Sequence, residues 1–279
     1  MLTQLPTLGV GMGFREPYRS DLFLHRQDVD FLEITADHYM DTGLEKQEEL
    51  DLLAAHFTLI PHGLNLSLGS AEGLDASYAR KFARLIRRLN PPWWSEHIAF
   101  TRAGGVDIGH LSPVPFTHEA IEVLVRNIAE MRSHLEMDVP LILENITYMV
   151  EMPGAEMNEA QFLAELLAKA NCGLLLDVTN LYTNAINHGH DLQAIVEQLP
   201  LERVVQLHFA GGFWHEGVLI DSHSHATPPQ VWELMEEIVA RAPVKGIILE
   251  RDEELPSFAE LREEMQRARE IGRSWRRWA

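Results

Sequence analysis

Cysteine is nearly absent from this chain of 279 residues: Cys172 is the only one. A single thiol excludes an internal disulfide and suits a reducing compartment, and its place at the start of an apolar run reads as a core thiol, not a nucleophile. No apolar stretch approaches the roughly 18 residues that a membrane span needs. The opening MLTQLPTLGVGMGF lacks a basic region followed by an apolar one and a small-residue cleavage site, so the expected location is the cytoplasm. Cations are also scarce. Lys and Arg number 23 against 42 Asp and Glu, a net charge of −19 that repels a polyanion unless basic residues gather on one face. Nucleic acid is therefore not an expected partner. The one basic and aromatic cluster, Arg269–Trp278, is short and reads as a helix end packed on the body.

Three other absences narrow the chemistry. There is no P-loop and no Gly-x-Ser-x-Gly elbow, which removes the anchor for nucleotide or serine-hydrolase chemistry. Gly9-Val-Gly11-Met-Gly13, with Glu33 about 20 residues on, imitates a dinucleotide fingerprint. Phe14 stands where the third glycine belongs, however, and Pro17 disturbs the helical turn that would receive the pyrophosphate. The third absence is of linkers: no Pro/Gly/Ser-rich segment or low-complexity tract divides the chain, and one domain over 1–279 is expected.

What the chain does have is a repeating alternation. Apolar, β-rich runs fall at Leu8–Gly11, Phe31–Thr35, Leu59–Leu66, Trp93–Phe100, Pro140–Ile146, Gly173–Val178, Val204–Phe209 and Gly246–Glu250. Their hydrophobicity is continuous, as in parallel strands buried on both faces. Helical periodicity with charged faces occupies Leu44–Phe57, Asp75–Leu89, Thr117–Leu135, Asn158–Ala170, Leu192–Leu199, Pro229–Ala242 and Ser257–Gly272, with a weaker stretch near Asp21–Arg26. Strand then helix, eight times over, predicts an α/β fold of the (β/α)8 TIM-barrel kind. An open doubly wound sheet is the alternative and would gather ligands at one switch point.

Nine metal-capable side chains sit at or after the ends of these runs: His62, His97, Glu144, Asp177, Asn180, His208, Asp221, His223 and Glu250. In a closed barrel, side chains repeated once per strand end converge on one point. Singly, each reads as a hydrogen-bonded core or loop residue. Together, from the third predicted strand to the eighth, they point to a polynuclear metal centre. Glu144 (LILEN), Asp177 (LLLDV) and Glu250 (IILER) each follow three apolar residues, where a carboxylate is costly unless paired or metal-bound. No Lys or Arg repeats beside them, which implies cations from outside the chain. Glu144 is the natural bridge, since a carboxylate's two oxygens can serve two cations. Asp221 and His223 lie two apart in the loop after the seventh strand and, if extended, point the same way.

The order His, His, Glu, Asp, His, Asp-x-His, Glu resembles the three-metal layout of endonuclease IV and the xylose-isomerase-like superfamily. More closely, GVGMGFREP, FLEITADHYMD, HGLNLSLG, SEHIAF, ENITYM, LLLDVTNLYTNAINHGHD, QLHFAGG, LIDSHSHATPPQVWEL and ILERD resemble the UPF0276-type bacterial family, long known only as a domain of unknown function. Its characterised members are multinuclear non-haem iron-dependent oxidative enzymes of ribosomal-peptide (RiPP) biosynthesis, including those acting on methanobactin precursors and on cysteine-ended carrier peptides. The resemblance implies that His62, His97 and Glu144 hold one iron. It assigns Glu144, Asp177, His208 and Glu250 to a second, and Asn180, Asp221 and His223 to a third. Asn180 stands where the endonuclease layout has His, and an amide oxygen is a poorer zinc ligand than imidazole. Asp37-His38-Tyr39 departs from the family's more usual Glu-Asn-Tyr, and Tyr18 stands where His is common.

The resemblance further implies an oxygen-using enzyme with two or three irons, zinc or manganese being possible substitutes. Its substrate would be a cysteine-containing precursor peptide, with a separate leader-peptide recognition protein as a further partner. Glu144, His97 and Asp177 are the expected catalytic residues. Two other classes are weighed beside it. A metal-dependent sugar isomerase or phosphoesterase could use the same ring, but would call for a lysine near the open positions or a basic groove. A non-catalytic metal-dependent peptide-binding module is the third.

Overall fold

The computed structural model describes residues 2–278. Its centre is a closed barrel of eight parallel strands. Those strands are β1 (Gly9–Gly13), β2 (Phe31–Thr35), β3 (Thr58–Gly63), β4 (Trp94–His97), β7 (Leu141–Glu144), β8 (Gly173–Asp177), β9 (Val204–Phe209) and β12 (Gly246–Leu249). Each pairs with its sequence neighbour, and β1 closes on β12 through Gly9–Met12 against Gly246–Leu249. The expected (β/α)8 architecture is thus observed. Near the strand starts, Phe31, Ile60, Trp93, Ile142, Leu175, Val205 and Ile248 form a buried plug, covered from outside by Leu2, Leu5 and Leu8. That plug seals the lower end of the barrel and leaves the strand ends to carry polar groups.

The helices are α1 (Arg19–Leu24), α2 (Leu44–His56), α3 (Ala76–Leu89), α4 (His118–Leu135), α5 (Glu159–Ala170), α6 (Val178–His188), α7 (Leu192–Gln198), α8 (Pro229–Arg241) and α9 (Phe258–Ser274). Local chemistry sets their starts. Asn158 with Gln161, and Ser257 with Glu260, form reciprocal capping boxes on α5 and α9, while Asp75 and Thr117 accept backbone N–H groups at α3 and α4. Two features differ from expectation. Helix α6 follows β8 with no intervening loop and was not foreseen, because VTNLYTNAINH is rich in Asn and Thr and weak in helix propensity. Asp221 and His223, expected in a loop, lie on a hairpin, β10 (Gly211–His215) with β11 (Val218–His225). A second hairpin, β5 (Ala99–Ala103) with β6 (Val106–Pro113), follows β4. Both hairpins leave the ends of barrel strands that bear histidines, β9 and β4.

Cys172 precedes β8, at the end of the strand remote from Asp177, and is fully buried. Burial pushes its thiol up to about 11, with Arg132 opposing at 3.3 Å. An aqueous maleimide should leave native Cys172 unlabelled at neutral pH and react fully once the chain is unfolded in guanidinium, as read by mass spectrometry. Rapid labelling of the native protein would contradict this placement.

Candidate metal centre

Each barrel strand that enters the site delivers its polar side chain within one residue of its last position. His62 comes from β3, His97 from the end of β4, Glu144 from the end of β7, Asp177 from the end of β8, His208 from β9, and Glu250 from the residue after β12. Parallel register places His97 beside Glu144 and Asp177 beside His208. The result is two groups of ligand atoms, each drawn within 4.8 Å: His62, His97 and Glu144, and Glu144, Asp177, His208 and Glu250. Glu144 belongs to both. Its Oε2 lies 3.2 Å from His62 Nε2 and 3.3 Å from His97 Nε2, while Oε1 lies 3.3 Å from His208 Nδ1.

The imidazoles are fixed from behind. His62 Nδ1 is 2.8 Å from Ser95 Oγ, and His97 Nδ1 is 3.1 Å from the Gly63 carbonyl, so each presents Nε2 to Glu144. Gly63 is needed here: a Cβ would fall 2.5 Å from Glu96 Oε2 and from the Phe82 ring. His208 is turned the other way. Its Nε2 is 2.9 Å from Glu33 Oε1, Gln206 Nε2 donates to Glu33 Oε2 at 2.6 Å, and Trp93 Nε1 donates to Gln206 Oε1 at 2.8 Å. That chain fits a proton on Nε2 and turns Nδ1 towards Glu144 and Glu250, the carboxylate–histidine arrangement that orients metal-binding imidazoles. Sequence reading missed Glu33 as a site residue, taking it only as the acid of a failed dinucleotide fingerprint. The signal was available: FLEIT puts a carboxylate in an apolar run, as LILEN does.

Asp177 divides its two oxygens. Oδ1 accepts the backbone N–H groups of Thr179 at 2.7 Å and Asn180 at 2.9 Å, capping α6, and Oδ2 has no partner. Further buried atoms without an aligned hydrogen bond are Glu144 Oε2, His208 Nδ1, Asp221 Oδ1 and both ring nitrogens of His223. Yet His223 Nε2 is 2.9 Å from Asp221 Oδ1, and its Nδ1 is 3.4 Å from Glu250 Oε2 and 3.3 Å from Asp252 Oδ2. Close approach without alignment means that the lone pairs point at a shared space and not at each other. Orphaned buried oxygens and nitrogens of this kind are costly unless something else satisfies them, and divalent cations fit the donor set. His223 has φ 51°, a left-handed conformation within β11 that departs from the extended pair expected. The Thr147 hydroxyl stands between Asn180 Oδ1, at 2.5 Å, and Asp221 Oδ2, at 2.9 Å.

Charge in the centre is strongly coupled. Burial opposes ionisation of Glu144 and Glu250, but the neighbouring histidines outweigh it and hold both carboxyls below their usual range. Burial likewise disfavours charge on His97, yet Glu144, Glu96 and Glu250 lift it to about 9. Asp177 is pushed up to about 8 by burial and by the charge of Asp221. In the absence of metal, protons on these groups do the work of cations.

Seven of the nine expected ligands line one cavity of 720 Å3: His62, His97, Glu144, Asn180, Asp221, His223 and Glu250. Asp177 and His208 lie beneath it, fully buried. Arg15 is the one Arg or Lys among the described lining residues, and it is paired to Asp252. Lys46, Lys81 and Lys169 are ion-paired on helices, and Lys245 precedes β12 at the opposite end of the barrel. The rest of the wall is mixed, with the apolar Leu64, Phe100, Ile146 and Ile220 beside the polar Thr35, His110 and Ser112.

A family model described as RiPP precursor modification enzyme MbnB/TglH/ChrH matches residues 9–273. A UPF0276 protein of Caulobacter vibrioides is 37% identical over 269 residues, covering 96% of this chain and 95% of that one. Another, from Streptomyces avermitilis, is 38% identical over 271 residues; the chain spans only 55% of its length. Among solved structures, a D-psicose 3-epimerase of Clostridium cellulolyticum, crystallised with D-tagatose, aligns over 95% of this chain and 98% of its own, with TM-score 0.63 and 13% identity. A xylose isomerase domain protein of Alicyclobacillus acidocaldarius gives TM-score 0.60 at 15% identity over 95% of this chain. At such identities the likeness is one of fold, the xylose-isomerase-like TIM barrel.

Two outcomes are expected of the centre. Titrating metal-free protein with Zn2+ at pH 7 in weak buffer should release protons, because His97 and Asp177 carry theirs until a cation replaces them, and metal affinity should rise between pH 6 and about pH 9. Proton uptake would contradict the assignment. Glu144→Gln should strip more metal than Asn180→Ala, as read by elemental analysis, and Glu33→Gln should weaken metal affinity by about 10–100-fold through His208. Equal metal contents in Glu144→Gln and Asn180→Ala would exclude Glu144 as a bridge.

Proposed function

The chain belongs to the MbnB/TglH/ChrH family of RiPP precursor modification enzymes, and we propose that it uses two or three irons and dioxygen to oxidise a cysteine in a ribosomally made precursor peptide. The supporting observation is the group His62, His97 and Glu144, whose lone pairs converge in a buried site that opens to a cavity. Two histidines and one carboxylate with open positions is the ligand set of non-haem Fe(II) oxygenases. The adjoining group is richer in carboxylates, which suits a hard, higher-charge cation beside the first. Bound iron would supply coordination of the substrate sulfur and reduction of dioxygen.

The protein's own part is placement. Glu144 would join the two sites, Asp177 would face the second with the oxygen that α6 leaves free, and His97 would face the first with its tautomer held by the Gly63 carbonyl. Asn180, Asp221 and His223 are assigned to a third position, over which Thr147 holds two of the donors in register. Arg15, clamped by Asp252 and donating to the Phe14 carbonyl at 2.9 Å, is the cation available to a peptide carboxylate or carbonyl at the mouth. The apolar part of the wall, Leu64, Phe100, Ile146 and Ile220, would limit water around the reacting residue. The reacting thiol must come from another chain, since Cys172 lies beyond the opposite end of β8. A separate protein that presents the leader segment is part of the proposal.

Protein reconstituted with Fe(II) without oxygen, then given O2 and a cysteine-containing precursor peptide encoded beside its gene, should consume oxygen and change the mass of a Cys-bearing fragment alone. His97→Ala should abolish the change with the circular dichroism spectrum preserved, and Cys172→Ala should retain it. Equal modification of a Cys-to-Ser precursor would sink the proposal. So would epimerisation of ketohexoses by the zinc or manganese form, in favour of an isomerase.

A further inference from the structure

The cavity above the ligands ends at a partition built from Pro113, Tyr148, Val150 and Met152, and the same four residues wall a second cavity of 550 Å3. The partition is thin and partly apolar at its outer edge. Val150 is 65% exposed and its neighbour Met149, which lines the first cavity, is 59% exposed, so the loop after β7 offers bare hydrophobic surface where the two cavities meet. Exposed apolar groups beside a concave site are a mark of binding surface.

Beyond the partition the chemistry changes. The first cavity is a ring of metal-capable donors, whereas Phe116, Met157, Ala194 and Ile195 shape the second. No Arg or Lys lines it among the described residues. Its ionisable groups are Glu151, paired with His190 at 2.9 Å, Asp191, which caps α7, and Glu159. Glu159 is buried, 3.4 Å from the Tyr148 hydroxyl, and burial pushes its carboxyl up to about 7 against hydrogen bonds from Tyr148 and Asn184. The Tyr148 ring is stacked on His188 at 4.8 Å and meets Phe116 edge-on at 6.0 Å, so the partition is held from both sides. Such a wall repels an anion, and its Phe116, Met157, Ala194 and Ile195 surface gains from burying hydrocarbon. Its volume lies within the about 300–1,000 Å3 of small-molecule sites, ample for one large side chain.

We propose that the second cavity is a specificity subsite that takes an apolar or aromatic side chain of the substrate peptide, close in sequence to the residue held over Glu144. This rests on the reading of the chain as a peptide-modifying enzyme. Continuity selects the occupant: an extended peptide crossing Pro113 and Val150 advances about 3.3 Å per residue, so residues near the reacting one meet the second cavity without a turn. Tyr148 and Val150 then act as the ridge between the two pockets.

The test uses the zinc-loaded protein, in which no oxidation occurs, and dye-labelled nine-residue Gly/Ser peptides with a central cysteine. Phe or Asp is placed at one flanking position at a time, and binding is read by fluorescence anisotropy. At one position, Phe should bind at least about tenfold more tightly than Asp. Ala194→Trp, which fills the cavity from α7, should remove that preference with zinc content unchanged. Ile195→Lys provides a second route if the first variant does not fold: it should move the preference from Phe towards Asp. No positional preference, absence of binding, or a preference that persists in both variants overturns the subsite. The oxidation reading fails separately: a Phe preference with no oxygen uptake by the iron form leaves the subsite standing, and oxidation without preference removes only the subsite.

Discussion

Four carboxylates, Glu33, Glu144, Asp177 and Glu250, are buried around three imidazoles at one end of a sealed barrel, and the one Arg or Lys among the described residues lining the cavity above them, Arg15, is paired to Asp252. That unpaid charge is the constraint on which the rest of the site depends. Burying ionised groups without partners is prohibitive, so the site must hold protons or cations. Close-packed residues at the lower end, from Phe31 round to Ile248, prevent collapse of the strands inward, and the parallel register keeps His97 against Glu144 and Asp177 against His208. The fold therefore holds like charges together at a fixed spacing, which is what a polynuclear site requires.

The groups behind the ligands matter as much as the ligands. Ser95, the Gly63 carbonyl and Glu33 each engage the far nitrogen of one imidazole, and each thereby chooses which nitrogen faces the centre. His208 is opposite in sense to His62 and His97 because Glu33 approaches from the barrel interior, through Gln206 and Trp93. A link thus runs from the plug at the base of the barrel to a donor atom at its top.

The barrel strands were legible because strands buried on both faces read as unbroken apolar runs, and β2 and β9 match their expected bounds residue for residue. Helices with capping signals were legible too, α3 and α5 among them. Helix α6 was not, since its Asn and Thr residues are helical through burial against β9, β11 and α8 and not through propensity. The hairpins were hidden for a related reason: residues 99–113 and 211–225 are polar and short, and their pairing is tertiary in origin. Of the site, the residues at strand ends could be read from the sequence because a carboxylate after three apolar residues is conspicuous. Glu33 carried the same signature and was obscured by its spacing from a glycine run. Ser95, Thr147 and the partition at Tyr148 carry no such mark, because hydroxyls are common and their partners lie far away in sequence.

One consequence follows from the way Asp177 is shared. Its Oδ1 closes the first turn of α6 while Oδ2 faces the centre, and α6 packs on β11, the strand that carries Asp221 and His223. A cation drawn to Oδ2 would pull electron density from Oδ1 and slacken the cap, so the amide protons of Thr179 and Asn180 would sense what the centre contains. Hydrogen–deuterium exchange at those two amides is therefore a native gauge of occupancy, readable without any spectroscopic property of the metal itself.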